Sequence, residues 1–338
     1  VSRGGLTLKR GSEGLISRVA DACFWFGRYV ERSESIVREL RATVGLALDG
    51  ELTPRQCWFP AVVVAGEEAE FRACLGDAAL ADGEAVQSYL VWDERCAVSL
   101  RRAVAAAREN ARSIREVLST EVWQTINELH LWLGSGAAQA DWRGHRDGFY
   151  RQVRASAQLV LGLLRSTMLH DTALDFIWLG VLLERVGQTA RLLDVHHHAF
   201  TEAGAHQVVE TSLWLTLLRA CSGVEPFMRA HAGRVNGAAV ARFLVGEVRF
   251  PRSIAYCIRA GYERLCAIRP PGQDLPGSRA VARLHRLDHW VEELPQVDAP
   301  LHDQLTHVVD EIAAICDTIG VELLGYGPPP AAASVPEN

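Results

Sequence analysis

A chain of 338 residues with 49% apolar composition can bury a large core, which excludes disorder for most of its length. Its 35 Lys+Arg against 41 Asp+Glu give a formal charge of −6, so neither nucleic acid nor an anionic membrane is an expected partner. No stretch reaches the roughly 20 apolar residues needed to span a bilayer, and Val1–Gly14 has no signal-peptide run, so a cytoplasmic location is expected.

In chain order, residues 1–14 read as a flexible extension. A long helix follows, with Val19, Cys23, Phe26, Val30, Val37, Leu40 and Val44 on one stripe. Similar periods recur near 83–92, 95–117, 119–133, 149–168, 173–195, 207–221, 237–245, 252–268, 277–294 and 298–323, without alternating strands. Asp49-Gly50, Gly134-Ser135-Gly136, Ala203-Gly204, Gly233, Pro270-Pro271-Gly272 and Pro295 punctuate them as breakers. The reading is all-α: a large multi-helix bundle over residues 15–326, too varied in helix length for four helices, with a flexible tail at 327–338. The eight cysteines, at 23, 57, 74, 96, 221, 257, 266 and 316, form no CxxC pair and suit reduced, core-filling thiols.

The most informative pattern is an internal echo. Trp25-x-Gly27-x3-Glu31-Arg32-x5-Arg38 returns as Trp178-x-Gly180-x3-Glu184-Arg185-x5-Arg191, at a constant offset of 153 residues. It divides the bundle into pseudo-repeated halves of about 15–148 and 149–326. On a helix, Glu31 lies about 100° from Val30, on the shoulder of the apolar face, and its side chain leans back over the turn that holds Gly27. Gly180 stands in the same relation to Glu184. Each glycine leaves a notch for another backbone or for a ligand. Arg38 and Arg191 lie two turns beyond their own glutamates, too far for an easy direct pair, and are expected to reach other helices. Three roles stay open for Glu31 and Glu184: ion pairs with arginines across the two halves, ligand contact, or general-base catalysis.

Arg101, Arg108, Arg112 and Arg115 fall within about 40° of one azimuth, beside the apolar face of Leu100, Val104, Ala107, Ala111, Ile114 and Leu118. This stripe is either solvated and paired, with Glu109 and Glu116 as candidates, or a surface for carboxylate, phosphate or an acidic partner. In Arg249-Phe-Pro-Arg-Ser253, a helix starting at Pro251 would put Arg252 at an N-terminus, where two arginines suit an anion, either a ligand or an internal carboxylate. His285 and His289 at i, i+4 and the run His196–His198 lack a full ligand set, so no metal and no cofactor is expected. No GxxxxGK[ST], GxGxxG or GxSxG motif supports nucleotide hydrolysis or acyl transfer by the chain itself.

These pieces together resemble the alpha-E family of bacterial helical proteins. They are Leu15-Ile-Ser-Arg-Val-Ala-Asp21, Trp25 to Arg32, Ala107 to Arg115, Ser119-Thr-Glu-Val-Trp123, Leu183-Glu-Arg185 and Arg249 to Ser253, in family order. The resemblance implies a Glu-Arg motif at Glu31-Arg32 and Glu184-Arg185. It also implies association with circularly permuted ATP-grasp proteins similar to amide ligases, with transglutaminase-like peptidases nearby, in a system that makes or processes a peptide. Such a ligase activates a carboxylate as an acyl phosphate, so the arginine patterns could steer an acidic small molecule or peptide toward it. A stand-alone enzyme using Glu31 or Glu184 as base, and a purely structural module, are the alternatives.

Overall fold

The computed structural model describes residues 15–49, 52–202, 207–231, 235–272, 275–294 and 300–327. Among them are fifteen α-helices and one short 3-10 helix, with no strand, the all-α class that the periodicity predicts. In chain order the helices are α1 (Ser17–Asp49), α2 (Pro54–Ala65), α3 (Glu68–Leu75), α4 (Gly83–Trp92), α5 (Leu100–Ser113), α6 (Thr120–Leu133), α7 (Gly136–Gly144) and α8 (Arg146–Ser166). There follow α9 (Thr172–Glu202), α10 (Gln207–Ala220), α11 (Val224–Ala230), α12 (Gly237–Gly246), α13 (Ile254–Ile268), α14 (Ser278–Glu293) and α15 (Leu301–Leu323). The expected extension at 1–14, the breakers Gly50, Ala203-Gly204, Gly233 and Pro295, and the tail beyond Gly327 lie outside the described residues.

Apolar periodicity misses α2, α3, α7 and α11, which are short and sided by other elements. The start of α2 was nonetheless written in local chemistry. Thr53 caps it in a reciprocal box with Gln56, Pro54 takes the first turn, and Gly66 closes it at φ 75°. The long period at 95–117 shrinks to α5, because the chain turns at Ile114–Leu118. The helix expected from Pro251 begins three residues later. Ser253 caps it, its Oγ accepting from the Tyr256 N–H at 3.1 Å, and Pro251-Arg252 form the turn before it.

Two long helices, α1 and α9, make the most extensive contact in the molecule. Around them α5, α8, α10 and α2 close on α1, while α13, α15 and α12 close on α9. Because α1 is covered on several sides, its buried residues form no single stripe: Phe24, Ser33 and Glu34 are as enclosed as Val30 and Leu40. The expected shoulder position of Glu31 is therefore a fully buried one, with 0% of its surface exposed.

The crossing is made possible by the two echoed glycines. A Cβ on Gly27 would lie 2.0 Å from the Ile177 carbonyl oxygen, and one on Gly180 would lie 2.1 Å from that of Phe24. Phe24 and Ile177 each stand three residues before a motif glycine, so each backbone sits in the other's notch. No helix among the described residues is long and apolar enough to cross a membrane.

Candidate functional site

The notches are thus occupied by backbone, and the close approach lays each motif glutamate against the opposite motif arginine. Glu31 Oε2 accepts from Arg185 Nη2 at 2.6 Å, and Glu184 Oε1 accepts from Arg32 Nε at 2.7 Å. Arg32 is bidentate, its Nη2 reaching Glu184 Oε2 at 3.0 Å. A polar residue four positions on backs each carboxylate: Ser35 Oγ lies 3.5 Å from Glu31 and Gln188 Nε2 lies 3.3 Å from Glu184.

Around this reciprocal pair the two ends differ. Glu184 takes its second guanidinium from α1 itself, Arg28 Nε donating at 2.8 Å. Arg28 and Arg32 also lie over the faces of Trp25 and Tyr29, at 5.0 and 5.4 Å from the ring centroids. Glu31 takes its second from Arg252, in the turn before α13, whose Nη1 donates at 2.6 Å while its Nη2 reaches Glu34 Oε2 at 2.6 Å. The same turn is held by Arg185 Nη1 on the Pro251 carbonyl and by the Thr189 hydroxyl on the Arg252 carbonyl, at 2.9 and 3.0 Å. Arg252 therefore has internal acidic partners, whereas Arg249 points outward and pairs with Glu247 at 2.8 Å.

Arg38 corrects an expectation. Its Nη2 comes within 3.6 Å of Glu31, the glutamate of its own helix. A helical side chain leans toward the N-terminus, and a long guanidinium bearing on Ser35 Oγ at 3.3 Å covers the two turns. Its Nε lies 3.8 Å from Glu34 without a hydrogen bond, and its Nη1 has no partner. Arg191, its echo, makes no hydrogen bond through Nε, and burial lowers its guanidinium pKa, opposed only in part by the charges of Glu184 and Glu39.

Burial alone would raise the Glu31 carboxyl, but the charges of Arg185 and Arg252 outweigh it and hold the group down at about 2. For Glu184, Arg32 and Arg28 overcome the same burial penalty and hold it well below the usual carboxylate range. Glu34 is lowered too, against its burial, by Arg38 and Arg252. Glu39 behaves oppositely: burial pushes it up to about 8, only partly opposed by Arg191, and its Oε1 has no hydrogen-bond partner. For Arg38, burial and the neighbouring Arg252 charge bring the guanidinium down to about 10.

The basic helix is arranged differently. Arg101 pairs with Glu94 at 3.5 Å, Arg112 with Glu109 at 2.8 Å, and Arg108 with the same Glu109. Arg115 lies beyond the end of α5, so it leaves the expected azimuth, and its guanidinium stacks on Trp123 at 4.8 Å. Glu116, the other expected neutraliser, is in no ion pair of this group. The two histidines of α14 face each other, Nε2 to Nε2 at 3.1 Å, and the buried His196 ring bonds the Leu192 carbonyl. Among the described residues no group of three or more His, Cys, Asp or Glu is placed to hold a metal ion.

Sequence reasoning missed Arg28 and Glu34. A signal for both existed: Arg28 and Arg32 are one turn apart, and Glu31, Glu34 and Arg38 recur at i, i+3 and i+7, so each set shares a helix face.

Three curated relatives, uncharacterised proteins of Mycobacterium bovis and of two Mycobacterium tuberculosis strains, are 25% identical over 285 residues. The match takes in 80% of this chain but 31% of each relative, so the chain spans about a third of their length. No solved structure matches. The model of a family described as a predicted alpha-helical domain with a conserved ER motif matches residues 15–323, and the chain belongs to this alpha-E family.

Proposed function

We infer that the chain is a helical partner or assembly module of a circularly permuted ATP-grasp amide ligase, in a system that makes or processes a peptide and includes a transglutaminase-like peptidase. Within it, two pseudo-repeated halves are clamped through their Glu-Arg motifs, and the chain itself does not hydrolyse ATP. The observation that carries this reading is the closure of both motif glutamates. At 0% and 1% exposure, each gripped by two guanidiniums, Glu31 and Glu184 hold helices together. A general base needs reach to a substrate proton and a pKa near the working pH. A carboxyl held at about 2 in a closed seam has neither.

The reciprocal crossing supports the pseudo-repeat, since glycine meets glycine-bearing backbone and glutamate meets arginine at one offset. The coverage of the relatives supports the module reading: the matched region is one part of a chain about three times as long, as expected of a unit that works beside other domains. The test is co-expression with a circularly permuted ATP-grasp protein, followed by affinity purification and mass spectrometry of the product. Co-elution, with ATP turnover only in the complex, is expected. Turnover by the chain alone that Glu31→Gln abolishes without altering the circular dichroism spectrum would replace the module with an enzyme. Charge reversal at Arg112 and Arg115 then asks whether the end of α5 and the turn after it form the ligase contact.

A further inference from the structure

The seam contains more positive than negative groups. Six arginines, at 28, 32, 38, 185, 191 and 252, face four carboxyl groups, Glu31, Glu34, Glu39 and Glu184. Arg38 is the most enclosed of the six, and its two carboxylate neighbours, Glu31 and Glu34, stand off at 3.6 and 3.8 Å. It is 6% exposed, yet its Nε and Nη1 hydrogen-bond nothing. A buried guanidinium with two of its three nitrogens unbonded costs free energy, which a nearby anion offsets in part through its charge.

The unbonded Nε and Nη1 of Arg38 are closed off from solvent, but the side chain borders a cleft of about 640 Å³ where the C-terminal part of α1 meets the start of α8 and the α10–α11 turn. That is the size of a small-molecule or short-peptide site, about 300–1,000 Å³. Arg154 and Arg219 stand on its walls, and neither makes an ion pair or a side-chain hydrogen bond with the described residues. Arg154 Nε is buried without a partner. Two further lining arginines are already engaged, Arg41 with Asp147 at 2.6 Å and Arg146 with Glu84 at 2.5 Å. Val44, Leu48 and Val224 supply an apolar side, and Leu48 is 81% exposed.

We propose that this cleft binds an anionic ligand through an oxyanion group, carboxylate or phosphate, held between Arg154 and Arg219, with the buried charge of Arg38 favouring it from beneath. The planar forks of Arg154 and Arg219 suit either group, and the apolar side accommodates the skeleton that carries it. The proposal rests on the cleft alone and does not require a ligase partner. It also differs from the basic helix α5, whose Arg108 and Arg112 are answered by Glu109.

The experiment is calorimetric titration of the full chain at low salt with two probes, triglutamate and inorganic tripolyphosphate, and with triglutamine as the uncharged control. Saturable binding of at least one anionic probe, weakened about tenfold or more by Arg154→Ala with Arg219→Ala and unchanged by Arg112→Ala, is expected. Whichever probe binds more tightly identifies the source of the oxyanion. The two wall positions are used because neither holds the fold together, unlike Arg38. Absence of saturable binding of both probes, equal binding of triglutamine, or full affinity in the double variant overturns the proposal.

Discussion

Glu184 and Glu31 occupy equivalent places in the echoed motif, yet the molecule closes them by different means. Glu184 takes both its guanidiniums from α1, those of Arg28 and Arg32, whose side chains remain 17% and 15% exposed and rest on aromatic faces. Glu31 is held by α9 and by a third element, the Pro251-Arg252 turn, and it shares Arg252 with Glu34. The difference teaches that the repeated residues lock two helices at one crossing, while an unrepeated arginine extends the lock to the next layer. One end is a pairwise clamp near water, and the other is the root of a buried network.

The largest expected effect lies at what the two ends have in common. Gly27→Ala places a methyl 2.0 Å from a backbone oxygen that no rotamer can move, so the helices must separate. A loss of about 5 kcal/mol or more is expected, read as a lowered or absent cooperative transition in urea. Next comes the contrast itself. Glu31→Gln strands Arg185 and Arg38 in a closed seam and should cost about 3–5 kcal/mol, whereas Glu184→Gln should cost about 2–3 kcal/mol, because its arginines can turn to water. Equal losses, or the reverse order, would break the distinction between buried network and open clamp.

Arg252→Met sharpens it further. Glu31 keeps Arg185 and Glu34 keeps the Gln158 amide at 3.0 Å, so the loss should be near 2 kcal/mol. Proteolysis should then increase first at the turn before α13, with the α1–α9 crossing intact.

The smallest effect is a pH dependence with two signs. Glu31 is held at about 2, below its ordinary 4.5, so its contribution is complete above 4.5 and disappears as pH falls toward 2; Glu34 and Glu184 act in the same direction. Glu39, raised from 4.5 to about 8, contributes the opposite slope, present below 4.5 and lost as pH rises through 8. Glu39→Gln should therefore flatten the fall in Tm between pH 6 and pH 8.5 and leave the acid side unchanged.

The α1–α9 crossing was legible because both helices carry the same spaced residues, and a glycine beneath a glutamate indicates close approach. The partners were less so. Periodicity places a residue on a face, but it does not say how many other elements cover that face, which is why the spacing puts Glu31 on a shoulder and the packing puts it at the centre. Arg252 was recognised as an anion-seeking residue, yet its targets, Glu31 and Glu34, are more than 200 residues away and meet it only through packing. Arg154 and Arg219 belong to no pattern at all. They become neighbours only because the start of α8 and the end of α10 face the same stretch of α1.

The Arg252 bridge also bears on how the protein is made. The residues it joins are 221 positions apart, so α1 leaves the ribosome long before the group that completes its network. At 5–20 residues per second this leaves Glu31 and Glu34 without their shared Arg252 for about 10–45 s, and the sides of α1 that later helices cover exposed for part of that time. A nascent chain in that interval is a substrate for chaperones, and a stall before residue 252 would leave it one.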